Sequence, residues 1–314
     1  MLLHLDKIAF NQIVTEVADN LGFREDQIEK DYFVSVFLKE LLSKTDLPIA
    51  FKGGTSLSKA YDVIDRFSED LDLAVKFSGK RLGDGKRKKL KYQLLDTSEN
   101  LSMKVINIDE IESDKDFNFY QIAFNNHFLQ NETVLPYLLI ETILSYQPYP
   151  CEEKIIYNYI TKYLLAQGNE DIVKKYELQS FPASVQTLER TFIDKLFALC
   201  DYHIEKKYDR YSRHLYDIHK IWISGLLRQD IIFELILPVV KDRQLFGVKN
   251  HSCMPNAKPN EILKQIIKTR AYEKDYNEVT SDFILTPVAY ETCISSLSEI
   301  IEKKYIPDLI SNFK

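Results

Sequence analysis

Residues 51–75, FKGGTSLSKAYDVIDRFSEDLDLAV, constrain the fold more than any other stretch of the chain. A short apolar run, Ile49-Ala50-Phe51, leads into Gly53-Gly54; a Thr/Ser-started helix follows, and then a strand carries Asp70 and Asp72. Side chains alternate across a strand. Asp70 and Asp72, with Ser68 behind them, therefore share one face, and Leu71, Leu73 and Val75 turn to the other as core. Two carboxylates side by side repel each other unless a cation sits between them, and Mg²⁺ is the usual one. Paired glycines at a helix start let backbone N–H groups approach an anion, which the helix dipole favours. A phosphate cradle beside a metal-binding carboxylate pair is the equipment of nucleotidyl transfer. The plainer alternatives are a simple turn for Gly53-Gly54 and a solvated strand edge for the two aspartates. The P-loop pattern G-x-x-x-x-G-K-(S/T) is absent.

The rest of the chain reads as two parts. Its 314 residues give length for roughly two domains with a sizeable core. Helical spacing runs over residues 5–21 and ends at Gly22, a C-cap. A second helix covers about 25–43, and strands are predicted at 117–124 and 136–145, where β-branched and aromatic residues concentrate. After Pro148 and Pro150 the pattern turns helical to the end, broken near 247–260 by Gly247, Pro255 and Pro259. The expectation is an α/β (α+β) domain over 1–150 and an all-helical domain over 151–314.

Charge and cysteine usage narrow the class. A net charge of −6 argues against a protein that coats nucleic acid non-specifically, though not against a local basic groove. The basic stretch Lys80–Lys91 is such a groove candidate, a guide for an RNA backbone; a solvated helix face explains it more simply. Cys151, Cys200, Cys253 and Cys293 lie far apart and read as reduced thiols. The histidines lack metal-ligand spacing, and His251-x-Cys253 has no companion ligands for zinc. Asp6, Lys7 and Glu16 interrupt any signal-peptide pattern, and no apolar run approaches the roughly 20 residues needed to span a bilayer. A cytoplasmic protein with no membrane partner is expected.

The C-terminal half contributes polar outliers of its own. In TLERTFIDKLFALCDYH, Leu188, Phe192, Leu196 and Leu199 form one helical stripe, and Lys195 falls inside it. A lysine facing a core is costly unless an anion meets it; the bland alternative is a snorkelling side chain. Further on, RYSRHLYDIHKIW places Asp217 towards the polar edge of a helix, one turn from Arg213.

Together these segments resemble the AbiEii/AbiGii family of nucleotidyltransferase-like toxins, within the DNA polymerase β-type superfamily. The resemblance rests on EKDY (29–32), KGGTSLSKAY (52–61), RFSEDLDL (66–73), ERTFIDKL (189–196) and RYSRHLYDI (210–218). It implies a polymerase-β-type core with a mixed sheet, and a toxin of a toxin–antitoxin or abortive-infection system with a cognate antitoxin. By position, Asp70 and Asp72 match the family's metal-binding pair, Ser68 the serine before it, Lys195 the essential lysine and Asp217 the distal aspartate. Glu141, which interrupts the apolar strand LLIETIL, is the candidate third metal ligand.

The expected chemistry is nucleotide transfer from an NTP with Mg²⁺ (or Mn²⁺), its phosphates at Gly53, Gly54, Thr55, Ser56 and Lys195. Asp217 either orients Lys195, contacts the base or ribose, or assists proton removal. The acceptor expected from the resemblance is RNA, the 3′ end of tRNA. Rival readings are transfer to a protein hydroxyl (Ser68 itself or the antitoxin) and a non-catalytic NTP-binding protein. The active centre is expected in the cleft between the two domains.

Overall fold

The computed structural model describes residues 1–79, 81–128, 134–245 and 249–312. Lys80 of the basic stretch and Gly247 of the helix break lie outside the described residues. Two compact units emerge: residues 1–61 with 68–185, and residues 62–67 with 186–314.

The first unit is built on a mixed sheet, seven-stranded among the described residues, in the order β3-β4-β5-β2-β1-β7-β6. Its strands are β1 (Ile49–Lys52), β2 (Asp70–Val75), β3 (Lys104–Val105), β4 (Phe117–Ala123), β5 (Tyr137–Ile143), β6 (Cys151–Ile156) and β7 (Phe181–Gln186). Strand β2 pairs antiparallel with β1 and parallel with β5, while β5 pairs antiparallel with β4. Helices α1 (Lys7–Leu21), α2 (Glu25–Lys44), α3 (Gly53–Lys59), α4 (Asp84–Asn100), α5 (Tyr159–Ala166) and α6 (Glu170–Lys175) complete the unit. The predicted alternation holds: Leu71, Leu73 and Val75 are buried, and Asp70 and Asp72 are half-buried on the other face. Gly22 caps α1 in the left-handed conformation, at φ 75°.

One expectation fails. Helices do not take over after Pro150; β6 and β7 follow it, and β7 lies parallel to β1, between it and the edge strand β6. Both strands sit among helical neighbours and lack clean alternation, with β6 largely unburied along its length. Their period-two signal was correspondingly weak.

The second unit is helical: α7 (Leu188–Ile204), α8 (Arg213–Ile223), α9 (Gln229–Leu245), α10 (Pro259–Thr269), α11 (Glu273–Glu278) and α12 (Tyr290–Glu302). The predicted α7 stripe of Leu188, Phe192, Leu196 and Leu199 is buried. An earlier segment, residues 62–67, belongs to this unit. It is stitched in by the Phe67 amide donating to Phe283 O at 2.9 Å and the Leu285 amide donating to Asp65 O at 2.8 Å. Among the described residues, no helix is long and apolar enough to cross a membrane.

Candidate active site

In the first unit, four strands line up chemistry along one row. Lys52 of β1 lies opposite Asp72 of β2, Asp72 opposite Glu141 of β5, and Glu141 opposite Phe119 of β4. Directly opposed residues share a face, so Asp70, Asp72 and Glu141 all stand on the half-buried side of the sheet. Gly53 is shaped by this row. Its φ is +77°, and a Cβ there would lie 1.8 Å from Asp72 Oδ2 and 2.5 Å from its Cγ. The Asp72 carboxylate thus rests directly against the Gly53 backbone, and only glycine leaves room for it.

The turn after Gly53 is held from within. The Thr55 hydroxyl is hydrogen-bonded to Ser68 Oγ at 3.0 Å and to the Asp70 carbonyl, and Ser56 Oγ donates to Gly53 O at 2.8 Å. Thr55 and Ser56 are fully buried. Their side chains fasten α3 to the start of β2, which leaves the backbone of Gly53 and Gly54 as the half-exposed part of the turn. Ser68 lies ahead of β2 rather than in it, because the strand begins at Asp70.

Among the described residues, no three His, Cys, Asp or Glu side chains form a ready-made metal cage. Mg²⁺ is typically held by one or two carboxylates, with water and substrate phosphates filling the other positions. Asp70 and Asp72, on one face beside the Gly53 turn, have the donor chemistry for it.

The helical unit holds a buried charge cluster. Lys195 Nζ donates to Asp217 Oδ2 at 2.7 Å, and Arg66 grips the same carboxylate with Nε and Nη2, each at 2.7 Å. The anion that Lys195 requires is therefore Asp217. Asp217 itself is not at a polar helix edge; it is wholly buried, because Arg66 arrives from 151 residues earlier in sequence to cover it. Burial alone would raise the Asp217 carboxyl, but the Arg66 guanidinium and the Lys195 ammonium overcome it and hold it below the usual carboxylate range. Burial pushes Lys195 down, against the pull of Asp217 and with a further push from Arg66. Arg66 was legible only as part of RFSEDLDL; nothing in its local pattern marks it as buried.

Lys30 was likewise legible only as part of EKDY. It occupies one stripe of α2 with Val34, Phe37 and Leu41, all buried, and is itself 1% exposed. Its ammonium donates to Glu69 Oε2 at 2.6 Å and to Leu135 O at 2.9 Å. The periodicity argument that singled out Lys195 applies equally here.

The basic stretch is mostly committed to the fold. Arg87 is buried against Asp116, Lys89 pairs with Asp46 at 2.6 Å, and Lys91 donates to Ile111 O at 2.8 Å. Lys86 and Lys88 remain exposed on α4, with Tyr92 61% exposed nearby on the same helix.

Comparisons with known proteins agree with these features at the level of family. No curated protein matches the chain. Among solved structures, MenT4, a nucleotidyltransferase toxin from Mycobacterium tuberculosis H37Rv, is similar with 17% identity and a TM-score of 0.47, over 94% of this chain and 90% of that chain. The family model "Nucleotidyl transferase AbiEii toxin, Type IV TA system" matches residues 36–299, which carries the likeness well past the last motif at 210–218. The chain belongs to the AbiEii family of nucleotidyltransferase toxins of type IV toxin–antitoxin systems.

Proposed function

We propose that the protein transfers a nucleoside monophosphate from an NTP to an RNA acceptor, the 3′ end of tRNA, in an Mg²⁺- or Mn²⁺-dependent reaction. The observation that carries this reading is the same-face row of Asp70, Asp72 and Glu141 with the Asp72 carboxylate seated on Gly53. Asp70 and Asp72 would hold the cation, with Glu141 beside Asp72 in register as the proposed further donor, and the ion would supply charge neutralisation for the triphosphate and the acceptor oxygen. The acceptor hydroxyl attacks the α-phosphorus, the bond to the β-phosphate oxygen breaks, and pyrophosphate leaves.

The chain's own residues orient these groups. Backbone N–H groups at the half-exposed Gly53-Gly54 turn donate to phosphate oxygens. The hydroxyls of Thr55 and Ser56 act indirectly, by keeping α3 fastened to β2. Ser68 takes the same supporting part through Thr55. Lys195 supplies positive charge for the triphosphate, and Asp217 orients it, the first of the three roles its sequence leaves open. A cognate antitoxin partner follows from the family; its mode of action is outside this reading.

The test is incubation of the purified protein with each labelled NTP, total tRNA and Mg²⁺. Label on RNA, lost by at least about 100-fold in Asp70→Asn and Lys195→Ala variants that still fold, is the expected result; loss of this size is typical for groups that act on transition-state charge. Label on the protein in place of RNA would move the acceptor to a protein hydroxyl. NTP binding without any transfer would overturn the enzymatic reading.

A further inference from the structure

The two strands that carry the carboxylates, β2 and β5, run parallel, so their entry points lie side by side. Parallel neighbours have no hairpin to set their register. A slip of one residue between them would turn Glu141 to the buried face and bring Thr142 or Ile140 beside Asp72. At these entry points the structure has a closed clamp. Glu69, immediately before β2, accepts on Oε2 from Lys30 Nζ at 2.6 Å and from the Leu135 amide at 3.1 Å. Leu135, two residues before β5, returns its carbonyl to the same Lys30 ammonium at 2.9 Å. Lys30 comes from α2, a helix that is otherwise buried along this stripe, so the ammonium has little freedom to move.

We propose that Lys30 is a positioning residue for the metal site: through Glu69 and Leu135 it fixes β2 and β5 in the register that sets Asp70, Asp72 and Glu141 on one face. This rests on the reading of Asp70 and Asp72 as metal-binding carboxylates. With its ammonium committed to Glu69 and Leu135, Lys30 acts one bond removed from the carboxylates, as outer-shell partners of metal ligands do. Its ammonium is also close enough to Asp70 for the two charges to attract.

The decisive variant is the double substitution Lys30→Met/Glu69→Leu. It removes one positive and one negative charge, so the local field stays balanced, and an apolar pair of similar volume generally replaces a buried ion pair without loss of stability. Mn²⁺ binding is followed by electron paramagnetic resonance, in the presence of a non-hydrolysable NTP analogue, for the wild type, this variant and Asp70→Asn. The expected result is a melting temperature close to wild type with Mn²⁺ affinity weakened about 10–100-fold, the range for lost outer-shell contacts. Mn²⁺ affinity equal to wild type in the folded double variant would show that Lys30 serves stability alone and would overturn the proposal. Should that variant not fold, Lys30→Met, which removes both hydrogen bonds of the ammonium to Glu69 and Leu135, takes its place with the same two outcomes. Failure of the underlying metal reading is distinguishable: Asp70→Asn would then bind Mn²⁺ as the wild type does.

Discussion

Gly53 shows how a single residue can be fixed by chemistry two strands of argument away. Its φ of +77° costs a side-chain-bearing residue about 1–2 kcal/mol. The larger penalty is functional, because a Cβ would displace the Asp72 carboxylate. Gly22 is a natural control: its φ of 75° is nearly the same, but a Cβ there meets nothing within 4 Å. Gly22→Ala and Gly53→Ala should therefore lose similar stability in urea denaturation, while only Gly53→Ala loses nucleotide transfer, by about 100-fold or more. Equal activity in both variants would refute the close packing of Asp72 on the turn. At this scale the sequence was legible wherever a residue broke a local pattern. Asp70 and Asp72 alternate with buried leucines, Glu141 interrupts an apolar strand, and Lys195 interrupts an apolar stripe. Arg66 escaped because its partner, Asp217, lies 151 residues away and no local pattern encodes that distance.

Helix α2 carries the same lesson at the scale of an element. Three consecutive charged residues, Glu29, Lys30 and Asp31, are all buried, which a two-sided helix in water would not tolerate. Each is met from elsewhere. Glu29 accepts from the amides of His127 and Phe128, Lys30 holds Glu69 and Leu135, and Asp31 pairs with Lys59 of α3 and accepts from the Tyr159 amide. The helix is thus a spine that fastens the loop after β4, the entries of β2 and β5, the end of α3 and the start of α5. Lys59 is buried, with Ser35 Oγ accepting from it at 2.7 Å besides Asp31. Asp31→Asn should destabilise the protein by about 3–5 kcal/mol, because it leaves a buried ammonium without a counter-charge. Asp31→Leu/Lys59→Met should recover most of that loss, and chemical denaturation of both variants checks the pair. The ends of α2 and the strands β4 and β5 were readable to within a residue or two from periodicity, whereas β6 and β7 were lost where alternation failed.

Across the whole molecule, buried and half-buried imidazoles contribute to the response to acid. His203, His214 and His219 in the helical unit, and His4 in the first, are all pushed below the ordinary histidine value, chiefly by burial. For His214 the charges of Lys195 and Arg213 add to the push, and its Nδ1 is buried without a hydrogen-bond partner. These rings take up protons less readily in the folded protein than in the unfolded chain, which binds them below about pH 6.5. Stability is therefore complete above that value and falls as pH drops through and below it. Thermal unfolding followed from pH 8 to pH 5 should show the decline, and His214→Phe should flatten it; an unchanged slope would count against His214 as a contributor. Asp217, whose carboxyl lies below the usual range, adds its own loss only at much lower pH.

The passage of residues 62–67 through the helical unit has a temporal meaning. A ribosome that has completed the sheet at residue 186 has already made Arg66 and both aspartates of β2. The counter-ion for Arg66 emerges about 30 residues later with Asp217, and the strand-like partner at Phe283–Leu285 later still. Until then residues 62–67 lack their helical partners, so this part of the link between α3 and β2 takes its final course only when nearly the whole chain exists.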